Sequence, residues 1–278
     1  MTLRAPAKLN LCLYLGPRRG DGLHEIRSLF CPLTLADRIV VTDAERDEVI
    51  CPGVDGRNLA SDALAALRAR GWARPGVRVE IEKRIPVAAG LGGGSADAGA
   101  VLRLASGEVE GVAELAVALG ADVPSQVEPR MALVAGAGEV VEALPAPGDF
   151  GVVLIPGEDG LLTGDVYAAA NRLGLARAPD ELESIAAELR AAASSGSSPL
   201  SYEELLVNDL GEAARSLRPE ISNALAALSE VGAAVTLVAG SGPTACGLFE
   251  DIVAADRAAA ELPPRYAGAI VAAPEASP

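Results

Sequence analysis

The stretch PVAAGLGGGSADAGAVLRLAS, residues 86–106, decides the fold. Gly90, Gly92, Gly93 and Gly94 leave the chain before Ser95 almost without side chains, and an Ala-rich run of strong helix formers follows. Just upstream, VRVEIEK (77–83) alternates: Val77, Val79 and Ile81 point one way, Arg78, Glu80 and Glu82 the other. That is the pattern of a half-buried strand. The three pieces predict a strand, a Gly-rich turn and a helix that opens near Ser95. Glycines let a backbone approach a ligand closely and adopt positive φ. A helix N-terminus adds unpaired N–H donors and partial positive charge. Together they suit the phosphates of a nucleotide; a hinge or a tight turn is the other reading of the same residues. No Lys follows the glycines, so the G-x-x-x-x-G-K-[ST] loop is excluded. Ser95 stands where the dinucleotide fingerprint needs its third Gly. The H-R-D of protein kinases is absent.

Outward from this unit, residues 8–15 read as a strand ended by Gly16-Pro17, followed by a polar loop over 18–25 and strands over 26–35 and 38–42. Asn58 caps a helix running to about Arg70. A helix over 112–119, a hairpin over 131–144 and a buried strand over 150–155 complete the first half. The second half is mainly helical, at 163–173, 180–193, 201–207 and 220–231, with SSGSSP (194–199) as a flexible break. Two short strands flank GSGPTA (240–245), then come a helix over 251–261, a strand over 267–272 and a tail, APEASP (273–278), that reads as frayed. The expected class is α/β, in the α+β two-domain sense, with domains at 1–150 and 151–278.

Composition narrows the function. Hydrophobic residues are 50% of the chain and aromatic ones 3%, so the core must be built from Ala, Val, Leu and Ile. With 23 Lys and Arg against 38 Asp and Glu, the net charge is −15. Such a chain repels nucleic acid and anionic membranes at long range. Phosphate binding then needs local positive potential. The four cysteines form no C-x-x-C and there is one His, which argues against a Cys/His metal site and for reduced thiols in the cytoplasm. No segment reaches the ~18 apolar residues of a membrane span.

Four further segments carry chemistry. In PAKLNL (6–11), Lys8 and Asn10 share one face of a strand, either the solvated face or a polar site. In LGADVP (119–124), Asp122 either caps a turn opened by Pro124 or holds a carboxylate near a substrate hydroxyl. His24, in DGLHE (21–25), is a stray loop residue or a ligand contact. GSGPTA is a hairpin turn or a second Gly-rich loop that closes over the first.

The order PAKLNL, DGLH, PVAAGLGGGSADA, LGADVP, GSGPTACGLF resembles the GHMP small-molecule kinase superfamily from about residue 4 to 272. PAKLNL with DGLH and LGADVP, helped by TGDVY (163–167) and NDL (208–210), is similar to its members that act on a cytidine diphosphate-linked methylerythritol in the non-mevalonate route to isoprenoid precursors. The resemblance implies an ATP-loop domain, a second domain bearing GSGPTA, and a small-molecule substrate in the cleft between them. It implies ATP and Mg²⁺ as cofactors. Asp122 matches the catalytic base, and Lys8 the cation beside it. Pro86, Gly90, Leu91, Gly92, Gly93, Gly94, Ser95 and Ala96 match the loop that wraps ATP, with Ser95 also a candidate Mg²⁺ ligand. Asn10, Leu23 and His24 match positions around the substrate, as do Gly240, Ser241 and Gly242, and Tyr167 falls where a ring stacks on cytosine. One departure is Leu23, where that family usually carries Tyr or Phe. A cytosine held there would lose one of two stacking rings, so weaker substrate binding with chemistry retained is expected.

Overall fold

The computed structural model describes residues 1–54 and 56–275. Two long strands organise the first half. Strand β1 (Thr2–Arg18) runs antiparallel to β2 (His24–Asp43) along its whole length, so the polar loop shrinks to residues 19–23. The opposite edge of β2 is shared. Residues 26–30 pair with β5 (Ala132–Gly136), and residues 38–43 pair with β4 (Val77–Glu82). Beyond these lie β6 (Val140–Ala143) and the short β3 (Glu48–Ile50), three residues the sequence pattern did not reveal. Helix α1 (Leu59–Ala69) begins at Asn58, whose side chain accepts from Ala60 N at 2.9 Å, as its capping position required. Helix α2 (Gly93–Arg103) packs on β1 and β2 and carries α1, α3 (Val112–Leu119) and the short α4 (Val123–Val127) against it.

The second sheet has the order β10-β7-β9-β8, from β7 (Gly151–Ile155), β8 (Val235–Val238), β9 (Ala245–Phe249) and β10 (Ile270–Ala272). Helices α5 (Thr163–Leu173), α6 (Pro179–Ala193), α7 (Leu210–Leu217), α8 (Glu220–Glu230) and α9 (Ile252–Glu261) complete it. The region read as a helix at 201–207 is instead a 3-10 segment over Pro199–Leu205, broken at Tyr202 by a non-helical backbone. Helix α6 packs on β1, β2 and β5, so the second half of the chain helps cover the first sheet. The core is aliphatic, as composition demanded, with Phe150 and Trp72 among its few large rings.

The start of the tail is not frayed. Thr34 N donates to Ala273 O at 2.8 Å, Glu275 N donates to Pro32 O at 2.8 Å, and Arg4 pairs with Glu275 at 2.9 Å. The rest of that segment, residues 276–278, lies outside the described residues. No helix among the described residues is long and apolar enough to cross a membrane.

Candidate active site

The outer edge of β1 is where the site forms. Register shifts between Pro6 and Lys8 and between Asn10 and Cys12 bracket three residues of β1. Such irregularities re-aim side chains. Here both Lys8 and Asn10 turn inward, 5% and 1% exposed, so the solvated-face reading is wrong. Their burial is compensated. Lys8 Nζ donates to Asn10 Oδ1 at 2.5 Å, Asn10 Nδ2 donates to Ser28 Oγ at 2.9 Å, and Ser28 Oγ donates to Cys12 O. Lys8 Nζ also lies 4.9 Å from the centre of the Phe30 ring, a cation–π contact. On its remaining side Nζ faces Asp122 Oδ2 at 3.4 Å.

Asp122 precedes α4, but its backbone is helical and its side chain makes no capping bond. The capping reading therefore fails, and the carboxylate is left for Lys8 and the cleft. The Gly-rich loop closes the site from above. Lys8 N donates to Leu91 O at 3.0 Å, which ties the loop to β1. Gly90 and Gly92 adopt φ of +78° and +69°, and α2 opens immediately afterwards at Gly93. Ser95 stands in the first turn of α2, while Leu91 and Ala96 are buried beneath the loop.

GSGPTA meets this loop directly. A Cβ on Gly90 would lie 2.2 Å from Ala239 O, and one on Gly240 would lie 2.9 Å from Gly90 O and 3.2 Å from Lys8 Nζ. The second-loop reading of GSGPTA holds, and the hairpin-turn reading alone does not. Asn208 fixes that loop, donating through Nδ2 to Val238 O and Gly240 O, both at 2.7 Å. Its neighbour Asp209 accepts from Leu15 N at 2.9 Å. Ser241 Oγ lies 3.1 Å from Thr163 Oγ1 at the start of α5.

The resulting cleft, about 500 Å³, is lined by Lys8, Asn10, Pro86, the loop from Gly90 to Ser95, Asp122, Tyr167 and Gly240 to Gly242. Tyr167 is half-buried, and desolvation pushes its phenol up, with the Asp122 charge adding to the effect. His24 is not a stray loop residue. It opens β2, is buried, packs 5.2 Å from the Tyr167 ring and bonds through Nε2 to Asn171 Oδ1 at 2.8 Å. Leu23 is not brought in: it is 52% exposed and does not line the cleft.

At the other end, Cys51, Val54, Asn58, Leu59, Lys83 and Asp97 line the cleft; the sequence marked none of them for the site, and Asn58 only as a helix cap. Lys83 is half-buried between two buried carboxylates, Asp37 on β2 and Asp97 on α2. Burial pushes the Asp97 carboxyl up to about 7, against the pull of Lys83. The chain has only two lysines, Lys8 and Lys83, and both stand in this cleft. No cluster of three or more His, Cys, Asp or Glu is arranged for a metal among the described residues.

Two family patterns match the chain: GHMP kinases N terminal domain over residues 58–127, and GHMP kinases C terminal over residues 188–268. The chain belongs to the GHMP kinase family. Within it, the chain is 36% identical to the 4-diphosphocytidyl-2-C-methyl-D-erythritol kinase of Kineococcus radiotolerans, covering 96% of this chain and 86% of that one. It is 38% identical to the enzyme of the same name from Streptomyces coelicolor, covering 90% and 88%. A crystal structure of 4-(cytidine 5'-diphospho)-2C-methyl-D-erythritol kinase superposes with a TM-score of 0.80 at 36% identity, over 99% of this chain and 100% of that one. A homoserine kinase from Cytophaga hutchinsonii superposes with a TM-score of 0.71 at 17% identity, covering 99% and 94%, a likeness of fold alone. Family and fold therefore agree with the resemblance carried by the five ordered motifs.

Proposed function

We propose that this chain transfers the γ-phosphoryl group of ATP to the 2-hydroxyl of 4-diphosphocytidyl-2-C-methyl-D-erythritol, a step of the non-mevalonate route to isoprenoid precursors. The observation that carries the proposal is the Lys8–Asp122 pair, 3.4 Å apart on the wall of a cleft that the Gly-rich loop also lines. Phosphoryl transfer needs mainly positioning and electrostatic stabilisation. The first turn of α2 offers unpaired backbone N–H groups to the phosphates. The acceptor hydroxyl sits between these phosphates and Asp122, whose carboxylate accepts the hydroxyl proton as the oxygen attacks. The Lys8 ammonium stabilises the negative charge gathering on that oxygen. Asn10 holds the ammonium in place from the side away from the reaction.

The end lined by Cys51, Val54 and Leu59 is apolar enough for the face of adenine. Tyr167 and His24, already in ring contact, serve the cytosine end. Ser95 fits a role as the protein ligand of Mg²⁺. Its hydroxyl lines the cleft at the phosphate end and makes no side-chain hydrogen bond among the described residues. A hard cation of this kind takes its other ligands from phosphate oxygens and water. Mg²⁺ when bound would neutralise phosphate charge during transfer. The protein is read as a cytoplasmic enzyme that takes a small-molecule substrate and neither nucleic acid nor membrane.

The test is ADP release with Mg·ATP and 4-diphosphocytidyl-2-C-methyl-D-erythritol, with mevalonate and homoserine as controls. Release with the cytidyl substrate alone is expected. Release only with a control would discard the cytidine pocket, and release with none would discard the kinase reading.

A further inference from the structure

Lys83 and Asp97 bracket the nucleotide loop. Lys83 directly follows β4, at the start of the loop, and Asp97 stands one turn into α2, just past its end. Lys83 Nζ donates to Asp97 Oδ2 at 2.8 Å and to Asp37 Oδ2 on the neighbouring strand. Asp37 does more than neutralise it. Its other oxygen, Oδ1, accepts from Arg84 N at 2.6 Å and Ile85 N at 2.9 Å, the first two backbone N–H groups of the loop. Its side chain has no exposure at all. The ammonium also packs under the first residue of α2, where a Cβ on Gly93 would lie 3.2 Å from Nζ.

This arrangement is a poor device for attracting phosphate. Two carboxylates share one ammonium, so the cluster carries no spare positive charge beneath the place where a polyanion binds. One oxygen, Asp97 Oδ1, is buried without any hydrogen-bond partner. A buried charge cluster that gives nothing by attraction is retained for what it holds in place. What it holds is a loop whose backbone departs from ordinary conformations, with Ala88, Gly90 and Gly92 at φ of +56°, +78° and +69°. Its glycines permit that shape without selecting it, so contacts must hold it: the Lys8 N–Leu91 O bond in the middle of the loop and the carboxylate cluster at its two ends.

We propose that Asp37 and Asp97 are positioning residues for nucleotide binding: acting through Lys83, they fix both ends of the Gly-rich loop and so set the direction of its N–H groups. The inference rests on the reading of that loop as the nucleotide site.

The two accounts of the cluster predict opposite signs. Assayed at pH 8, above the raised Asp97 value, Asp97→Ala and Asp37→Asn each remove a negative charge from beneath the phosphates. If the cluster acts only by charge, both variants bind a nucleotide more tightly. If it positions the loop, both bind it more weakly. The probe is a fluorescent ADP analogue with Mg²⁺, titrated into wild type and both variants, with thermal melting in parallel. The expected result is a Kd raised about tenfold in Asp97→Ala, where Lys83 keeps Asp37 alone. A rise of about threefold is expected in Asp37→Asn, where the amide oxygen still accepts from the loop N–H groups. In steady-state assays KM for ATP should rise in step while KM for the acceptor stays within about twofold. An unchanged or lowered Kd in Asp97→Ala that melts like wild type would overturn the proposal. So would an equal rise in both KM values, which would mean general loosening of the fold. If wild type itself fails to bind the analogue, the nucleotide reading of the loop falls, and this inference with it.

Discussion

Replacing Gly90 by Ala tests the contact between the two Gly-rich loops. The new Cβ would lie 2.2 Å from Ala239 O, 3.0 Å from Gly242 O and 3.1 Å from Gly242 N. A carbon in ordinary contact with a carbonyl oxygen stands about 3.3–3.6 Å away. The obstacles are backbone atoms, and Asn208 pins Gly240 O from behind, so a side-chain rotation cannot relieve them. The loops must therefore part by about 1 Å, the scale of misplacement that costs about 100-fold in rate. The φ of +78° adds about 1–2 kcal/mol of backbone strain for a residue with a Cβ. In a chain of this length such a loss lowers Tm by roughly 5 °C. Expected, then, is a fall of about 100-fold in kcat/KM with only a modest fall in Tm. Gly164→Ala is the matched control, because no atom lies within 4 Å of its Cβ position. It should stay within about twofold of wild type on both measures. A Gly90→Ala variant that keeps kcat/KM within about threefold and melts normally would refute the argument that the two loops close one site.

Asp122→Asn should lower kcat by roughly 100-fold or more, the contribution of a positioned base, while nucleotide affinity moves less than about threefold; turnover within tenfold of wild type would remove Asp122 from the base role. Leu23→Tyr should leave KM for the cytidyl substrate within about twofold and kcat unchanged, because position 23 is exposed and does not line the cleft; a fall in KM of about fivefold, the effect of roughly 1 kcal/mol of stacking, would mean that this loop reaches the base. Asp47 gives a pH test of the fold. The Arg68 fork and the Val77 N–H hold its carboxyl below the usual carboxylate range. A lowered folded-state value means stability that is present above about pH 4 and lost as pH falls through the folded value. Asp47→Asn should cost about 1–2 kcal/mol at pH 7, partly screened at this half-exposed site, and progressively less below about pH 4 in urea melts; a pH-independent loss would contradict the ion pair.

The parts of the site written in local sequence are legible in the residues themselves. The glycines before Ser95, the alternating strand ahead of them and the Ala-rich helix after them make the strand, turn and helix legible, with a phosphate loop as one of two readings of the turn. The same-face placement of Lys8 and Asn10 is also legible, because strand geometry fixes it. Which face they occupy is not. That depends on two register shifts in β1 and on Ser28, eighteen residues from Asn10 in the chain. Asp122 reads as a cap because Asp before a Pro-bearing turn commonly is one, and only Lys8, 114 residues upstream, redirects it. Helix α7 escapes notice because it follows a 3-10 segment whose composition looks equally helical. The Asp37–Lys83–Asp97 cluster leaves no local trace, since its members lie on three separate elements, inside β2, just after β4 and one turn into α2, and meet only in the fold.

How a chain of net charge −15 comes to bind a polyanion follows from the same geometry. Both of its lysines stand in the cleft, yet neither is free. Lys8 is held by Asn10 and faces Asp122, and Lys83 is shared by two carboxylates. Arg57, the arginine among the lining residues, is paired with Asp62 at 2.7 Å and largely exposed. Side-chain cations therefore supply little uncompensated charge for a phosphate. What remains is the backbone: the N–H groups that open α2, aimed by a loop that turns at Gly90 and Gly92 and that two carboxylates hold at its ends. Recognition built this way depends on the direction of donors more than on net charge. Substitutions that bend the loop should damage nucleotide binding more than those that change the charge around it, which is why the Gly90 and Asp97 variants probe the site more sharply than any surface arginine would.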